Sequence, residues 1–169
     1  MSVLPSMAQR VARAMLGWAL VWGVALALAA WLVVSHEMAE MQDDSLHAAA
    51  QIGMRFHAAR GAMSVGQSQG GLPPDRVVEA EAAILKDTQR LITQFHDPAP
   101  FAMQRIVVAP CSPFSVSREL MRDAALLARE HGVSLHTHLA ENDSDIDYTR
   151  EKFNCTPAEY AEQLGWLGP

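Results

Sequence analysis

The chain has few cysteines, few aromatic residues and little positive charge. Cys111 and Cys155 are its only 2 cysteines among 169 residues, which is too few for a disulfide framework, and they lack the CxxC spacing of redox or zinc motifs. They could pair in an oxidising compartment, but no feature of the sequence requires it. The formal net charge is −6, and no basic patch is interleaved with aromatic residues. The sequence therefore argues against a disulfide-rich scaffold and against a nucleic-acid partner.

Charge is absent from one long stretch, Ala14–Val34, which reads AMLGWALVWGVALALAAWLVV. As a helix it would be about 32 Å long, close to the ~30 Å hydrocarbon core of a bilayer. Tryptophans lie toward its ends, as interfacial aromatic residues do in membrane helices. We interpret the stretch as one transmembrane helix. The alternatives are a buried core helix, which is usually shorter and carries a polar stripe, and a cleaved signal peptide, which has a shorter apolar run.

The charges that flank this stretch predict its orientation. Arg10 and Arg13 precede it. The acidic residues that follow it are Glu37, Glu40, Asp43 and Asp44. The positive-inside rule then predicts a single-pass membrane protein with residues 1–13 in the cytoplasm and the chain after Ser35 outside. Residues 35–51 are charged and then rich in alanine, which favours a helical stalk.

From residue 52 onward, strand and helix patterns alternate. The predicted strands are Ile52–His57, Arg105–Ala109 and Val133–His138. The predicted helices are Pro74–Phe95, Ser117–His131, Asp143–Phe153 and a last one that opens at the Thr156–Glu159 capping box and ends at Leu164. A glycine-rich loop, Ala58–Pro74, follows the first strand. This alternation predicts an α/β fold with parallel strands, right-handed crossovers and loops gathered at the carboxyl ends of the strands.

Such a pattern is compatible with two architectures. Residues 52–169 could form a small open sheet or a partial (β/α) barrel. A complete barrel requires roughly 200 residues or more, so about three βα units cannot close one. We therefore expect three segments after the first 13 residues: a transmembrane helix over 14–34, a stalk over 35–51 and a partial barrel over 52–169.

Two imidazoles and a carboxylate follow the third predicted strand. His136 and His138 are one residue apart, so on an extended strand they face the same side, and Glu141 comes three residues later. Neutral imidazole is the usual ligand of a catalytic Zn²⁺, and a nearby carboxylate can shuttle protons for its water. This pattern predicts part of a hydrolytic metal site. The alternative is two hydrogen-bonded core histidines and a solvated acid, because two histidines cannot define a four-coordinate site.

Four phrases of the sequence carry a resemblance to a known family. They are IGMRFHAARGAMSVGQSQGGLPPD at Ile52–Asp75, RIVVAPCSPFSVS at Arg105–Ser117, LHTHLAENDSD at Leu135–Asp145 and REKFNCTPAEYAEQLGWLG at Arg150–Gly168. With them, residues 52–169 resemble the amidohydrolase superfamily, and in particular its branch of 8-oxoguanine deaminases and chlorohydrolases. The resemblance implies a TIM-barrel fold, one zinc-type ion and an aminopurine substrate, which for 8-oxoguanine would give urate and ammonia.

The resemblance also implies roles for individual residues. His138 takes the place of the metal ligand after the fifth barrel strand, with His136 as a second candidate ligand. Glu141 takes the place of the acid that relays protons between the water and the substrate ring. Cys111 occupies a position where many relatives have a substrate-contacting histidine, and Arg55 is expected over the substrate pocket together with the Gly61–Gly71 loop.

Each of these residues has a simpler interpretation. Cys111 could be a small buried residue in a turn, since no basic neighbour in the sequence would lower the pKa of its thiol. Arg55 could be an ion-paired arginine at the surface. The remaining histidines are expected to be exposed or at helix ends. They include His57, His96 and His131.

The sequence also departs from the family. Its other metal ligands are missing, so we expect little or no deaminase activity from this polypeptide alone. Residues 10–51 resemble the first membrane helix and stalk of bacterial sensor histidine kinases, which suggests a fusion near Leu46–Gln51. The alternative function is a single-span membrane protein with a non-catalytic sensory or interaction module.

Overall fold

The computed structural model describes residues 7–167, without the side chains of residues 8–12, 14, 31 and 34–39. The chain divides into two compact units, Met1–His47 and Ala48–Pro169. The helices are α1 (Met7–Gln51), α2 (Glu81–Phe95), α3 (Arg118–His131), α4 (Asp143–Phe153) and α5 (Pro157–Gln163). The strands are β1 (Phe56–Ala62), β2 (Gln104–Pro110) and β3 (Ser134–Leu135). Two single-turn 3₁₀ helices, Gln67–Gln69 and Asp75–Val77, lie between β1 and α2.

Helix α1 contains the apolar stretch that the sequence singles out. None of the helices in the described part of the chain is both long enough and apolar enough to cross a membrane. The predicted transmembrane helix over Ala14–Val34 is thus not found among the described helices, and the membrane partner has no support. The predicted single-pass membrane location is wrong.

The predicted orientation of the chain relative to a membrane depends on the same span and therefore has no basis either. The cytoplasmic placement of residues 1–13 and the external placement of everything after Ser35 were both tied to a bilayer-crossing helix. Residues 1–6 and the side chain of Arg10 lie outside the described part of the chain. Residues 35–51 are helical and form the last part of α1.

The three strands form one parallel sheet in the order β1-β2-β3. Phe56 pairs with Gln104 and Ala62 with Pro110, so β1 and β2 begin and end together. Val107 pairs with Ser134 at the other side of β2. The predicted first strand, Ile52–His57, is displaced along the chain. Gly53 adopts φ +68° and its N–H donates to Ala50, an arrangement that ends α1 and delays the strand to Phe56.

Helix α2 also begins later than the sequence predicts. Pro74 precedes the short 3₁₀ helix Asp75–Val77, and the α-helix starts only at Glu81. Helix α3, in contrast, has the predicted ends. The Ser117 side chain accepts the N–H of Leu120 at 2.9 Å, and Gly132 adopts φ +64° at the other end, which are the N-cap and C-cap roles that these residues favour.

Helices α2 and α3 pack against one face of the sheet. Because side chains alternate along a strand, Ala58, Arg60 and Ala62 share this face of β1 with their partners Ile106, Val108 and Pro110 on β2. The core lies here and includes the following buried residues: Ala62, Ile84, Val116, Leu120, Met121, Cys155, Tyr160 and Leu164. The other face of β1 carries His57, Ala59 and Gly61, which are exposed. In a closed barrel that second face would be the interior.

Candidate functional site

The three strands meet at Cys111, the residue that follows β2. Its N–H donates to the carbonyl oxygen of Ala62 at 2.9 Å, at the end of β1. Its carbonyl oxygen accepts the N–H of His138 at 2.8 Å and the hydroxyl of Thr137 at 3.1 Å. The backbone of Cys111 therefore joins the carboxyl ends of all three strands, and its side chain is half-buried. This end of the sheet is called the carboxyl edge below.

His136 and His138 extend the parallel pairing beyond β3. The N–H of His136 donates to the carbonyl oxygen of Val108 at 3.0 Å. The centroids of the two imidazole rings lie 5.9 Å apart with an interplanar angle of 89°, an edge-to-face arrangement. Both side chains are exposed. The rings are therefore neighbours on one side of the extended chain and open to solvent.

Glu141 lies in the loop between β3 and α4. Its side chain is exposed, whereas its backbone is held, because its N–H donates to a carboxylate oxygen of Asp145 at 2.8 Å. Asn142, the next residue, is the N-cap of α4 and its side chain accepts the N–H of Ser144 at 2.9 Å. The loop thus ends in a well-defined helix start, which limits where Glu141 can lie.

The structure does not bring Arg55 to the carboxyl edge. Arg55 directly precedes β1, and the register aligns the start of β1 with the start of β2. At ~3.3 Å per residue, the length of β1 separates Arg55 from Cys111 by about 20 Å, too far for an arginine side chain to span. The sequence could not reveal this, because the predicted strand placed Arg55 inside Ile52–His57 rather than before it.

The glycine-rich loop after β1 does lie beside Cys111. The N–H groups of Ser64 and Val65 both donate to the carbonyl oxygen of Ser115, at 2.9 and 3.0 Å. The N–H of Leu72 donates to Phe114 at 3.2 Å. A Cβ added at Gly71 would overlap the carbonyl oxygen of Val65. Residues 63–72 are therefore packed backbone to backbone against the loop that follows β2.

The donor set at the carboxyl edge is incomplete for a metal ion. Imidazole has the right chemistry for zinc, but a catalytic zinc usually takes three protein ligands. Among the described residues, no group of three or more His, Cys, Asp or Glu side chains is placed to hold a metal ion. Two exposed rings 5.9 Å apart do not make a complete site. The described residues alone therefore do not fit a catalytic ion, and we derive no chemical step from one.

Two residues near the site escaped the sequence analysis. Asp145 is buried, with 4% of its surface exposed, and holds the backbone of Glu141. Thr137 anchors the strand end to Cys111 through its hydroxyl. The spacing of Asn142 and Asp145 is that of a capping box, so the helix start was available from the sequence. The hydrogen bond between the Asp145 carboxylate and the N–H of Glu141 could not be predicted from the sequence.

The amidohydrolase family model matches residues 23–169. The chain belongs to the amidohydrolase family. It is 44% identical over 119 residues to the 8-oxoguanine deaminase of Pseudomonas aeruginosa, which covers 70% of this chain and 26% of that protein. It is 42% identical over 127 residues to the hydroxydechloroatrazine ethylaminohydrolase of Pseudomonas sp. strain ADP, with coverages of 75% and 26%.

A solved amidohydrolase structure resembles the fold as well. The zinc complex of atrazine chlorohydrolase TrzN from Arthrobacter aurescens TC1 is similar with a TM-score of 0.69 at 37% identity, covering 73% of this chain and 27% of that one. The chain spans roughly a quarter of the length of these relatives. It is thus a TIM-barrel-like α/β fragment with a parallel sheet, and the alternative of an unrelated small open sheet is set aside.

The comparisons give no support to the other predicted resemblance. Residues 10–51 were expected to resemble a sensor kinase membrane segment, yet the amidohydrolase match begins at residue 23, inside that segment. The predicted alternative of a membrane-bound sensory module has no support either, since the described helices include no membrane span. The functional argument therefore depends on the amidohydrolase part of the chain.

Proposed function

We propose that this chain is part of a metal-dependent amidohydrolase that deaminates an aminopurine, with 8-oxoguanine as the substrate to test first. The observation that carries the proposal is the junction at Cys111, which ties the backbone of His138 to the ends of β1 and β2. The substrate class is supported by the 44% identity to an 8-oxoguanine deaminase. Hydrolysis of that substrate by one water would yield urate and ammonia.

The proposed roles follow the chemistry of each side chain. His138 is a metal ligand and His136 a second candidate, because neutral imidazole binds zinc-type ions. With the remaining ligands in place, a divalent ion held by these imidazoles would make a water molecule acidic enough to act as the nucleophile near neutral pH. Glu141 is the candidate acid–base group, which would relay protons between that water, the substrate ring and the leaving amine. Cys111 contacts the substrate, and the adjacent loop of residues 63–72 forms one wall. Arg55 has no role in this proposal because it lies beyond reach.

The described residues supply two candidate metal ligands, so we expect this polypeptide alone to bind zinc weakly and to release no ammonia. The proposed ligands can be tested directly by titrating zinc into the full chain and following the imidazole ¹⁵N signals. The signals of His136 and His138 should shift first. His57 is an exposed histidine on β1, near the opposite end of the sheet, and its signal should not move until zinc is in large excess.

Two variants sharpen this test. His138→Ala should abolish the shift at His136, whereas the matched control His57→Ala should leave the titration unchanged. Equal responses from all histidines would refute the metal role. In parallel, ammonia release from 8-oxoguanine is measured with and without zinc. Turnover with stoichiometric zinc would show that the chain is catalytically complete, and Glu141→Gln should then abolish that turnover.

A further inference from the structure

Glu141 lies outside regular secondary structure, yet its backbone is held on both sides. Upstream, the N–H of His138 donates to Cys111 at 2.8 Å. At Glu141 itself, the N–H donates to Asp145 at 2.8 Å. Only Leu139 and Ala140 separate these two anchors. A short segment whose two ends are held by hydrogen bonds therefore connects His138 to Glu141.

The second anchor is more than a helix cap. In a capping box, the side chain of the third helical residue accepts the N–H of the N-cap residue, here Asn142. The same oxygen of Asp145 does accept that N–H, but at 3.3 Å. The bond to Glu141, one residue further out, is shorter at 2.8 Å. The Asp145 carboxylate is therefore directed chiefly at the backbone of Glu141.

The helix that carries Asp145 is itself fixed to the loop after β2. The ring of Tyr148 on α4 lies 6.2 Å from the ring of Phe114 at an interplanar angle of 80°. Phe114 is three residues beyond Cys111. The loop after β2 consequently holds His138 directly and Glu141 through α4.

We propose that Asp145 is a positioning residue that sets the place of Glu141 relative to His138. Asp145 is almost completely buried, and the shorter of the two hydrogen bonds that its carboxylate accepts comes from the backbone of Glu141. The inference rests on the proposed function, which assigns proton transfer to Glu141. A carboxylate in the first turn of α4 also suits the positive end of the helix dipole, but that effect would be served equally by the exposed Asp143.

The experiment uses the full chain and measures amide hydrogen exchange and ¹⁵N heteronuclear NOE at Glu141. In Asp145→Ala, exchange at Glu141 should accelerate by about 10- to 100-fold, the factor that corresponds to a hydrogen bond with a charged group. The NOE of residues 139–142 should fall. Asp145→Asn keeps an acceptor oxygen without the charge and should restore part of the protection.

Two control variants separate positioning from helix stability. Asp143→Ala removes a carboxylate from the same turn of α4 without touching Glu141. Asn154→Ala destabilises α4 at its other end, where Asn154 adopts φ +54°, a conformation that alanine disfavours. Both controls should leave the Glu141 amide as protected as in the wild type.

Two results would overturn the inference. One is Glu141 exchange in Asp145→Ala within about threefold of the wild type, less than one such hydrogen bond. The other is equal acceleration in Asn154→Ala. If Asp145→Ala does not fold, Asp145→Ser, which also removes the carboxylate, decides by the same criterion. The zinc titration of His136 and His138 on the same samples reports the proposed function separately, so silent imidazoles would refute that function while the Glu141 amide still tests Asp145.

Discussion

The guanidinium of Arg60 donates two hydrogen bonds, of 3.0 and 2.8 Å, to the two carboxylate oxygens of Glu79. Its Nε donates to Asp87 on α2 at 2.8 Å. Burial by itself would lower the pKa of Arg60, but the hydrogen bonds and charges of Glu79 and Asp87 outweigh burial and raise it. Arg60 faces the helices rather than the exposed face of the sheet, so this cluster ties β1 to α2 and belongs to the scaffold.

Arg60→Ala is expected to lower the free energy of unfolding by about 2–4 kcal/mol, because removing one partner of a buried ion pair leaves the others uncompensated. This loss of stability is at the lower end of what breaking a buried ion pair usually costs, because the side chains of Glu79 and Asp87 are partly exposed to solvent. Urea denaturation followed by circular dichroism measures it. The control is Arg122→Ala, whose exposed pair with Asp123 at 3.3 Å should contribute at most about 0.5 kcal/mol. Equal losses in the two variants would contradict the assignment.

His96 should make stability depend on pH. Its Nδ1 accepts the N–H of Ile106 at 3.1 Å, and burial together with the charge of Arg105 lowers its pKa. A group whose pKa is lower in the folded state favours folding in its neutral form. This contribution is complete above the unfolded pKa of about 6.5 and is lost as the pH falls through that value toward the folded one.

The measurement for His96 is the free energy of unfolding of the wild type and of His96→Gln at pH 7.5 and pH 5.5. The wild type should lose more stability between the two than the variant does. The control is Thr93→Ala, at an exposed residue of α2 without a titratable group, which should keep the wild-type dependence. A variant His96→Gln with an unchanged pH dependence would show that His96 does not titrate on unfolding.

Gly71 and Gly61 offer two matched substitutions that test the packing of the loop after β1. Gly71 lies in that loop, and Gly61 lies near the end of β1. A Cβ at Gly71 would overlap the backbone of Val65, whereas a Cβ at Gly61 meets nothing within 4 Å. Gly71→Ala should therefore destabilise the protein by about 1–3 kcal/mol, as overpacking does. Gly61→Ala should be neutral or slightly stabilising, since alanine loses less backbone entropy than glycine. Thermal unfolding of both variants checks this, and equal melting temperatures would contradict the packing of the loop.

Tyr160 is fully buried, and its hydroxyl has no hydrogen-bond partner among the described residues. Burial raises the pKa of Tyr160 to about 12. Its contribution to stability is complete below the unfolded pKa of about 10 and falls as the pH rises toward 12. Tyr160→Phe removes a desolvated hydroxyl, so it should stabilise the protein by about 1 kcal/mol. It should also reduce the loss of stability at alkaline pH.

The control for Tyr160 is Tyr148→Phe, at a half-buried ring of α4. It should change the free energy of unfolding at pH 7.5 by no more than a few tenths of a kcal/mol, as is usual for substitutions away from buried features. Urea denaturation at pH 7.5 and pH 10.5 compares the three proteins. Destabilisation by Tyr160→Phe would mean that the hydroxyl has a partner after all.

Local signals in the sequence predicted much of the helical part correctly. Ser117 and Gly132 bound α3 as their chemistry favours, and the Thr156–Glu159 capping box opens α5. Both signals depend on residues three or four positions apart, which the sequence displays directly. The start of β1 was predicted four residues too early because Gly53, placed within the predicted strand, ends α1 instead. The apolar stretch of α1 was assigned to a membrane from its length, its lack of charge and its terminal tryptophans, and the predicted membrane location was wrong.

By itself the sequence determined the alternation of strands and helices, the spacing of His136, His138 and Glu141, and the family to which these residues point. Only the tertiary structure decided that Cys111 joins the ends of three strands, that Arg55 lies at the opposite edge and that the buried Asp145 holds Glu141. The physical reason is the range of the interactions. Caps and helical spacing are set by neighbours in the chain, whereas the register of parallel strands is set by contacts between residues tens of positions apart.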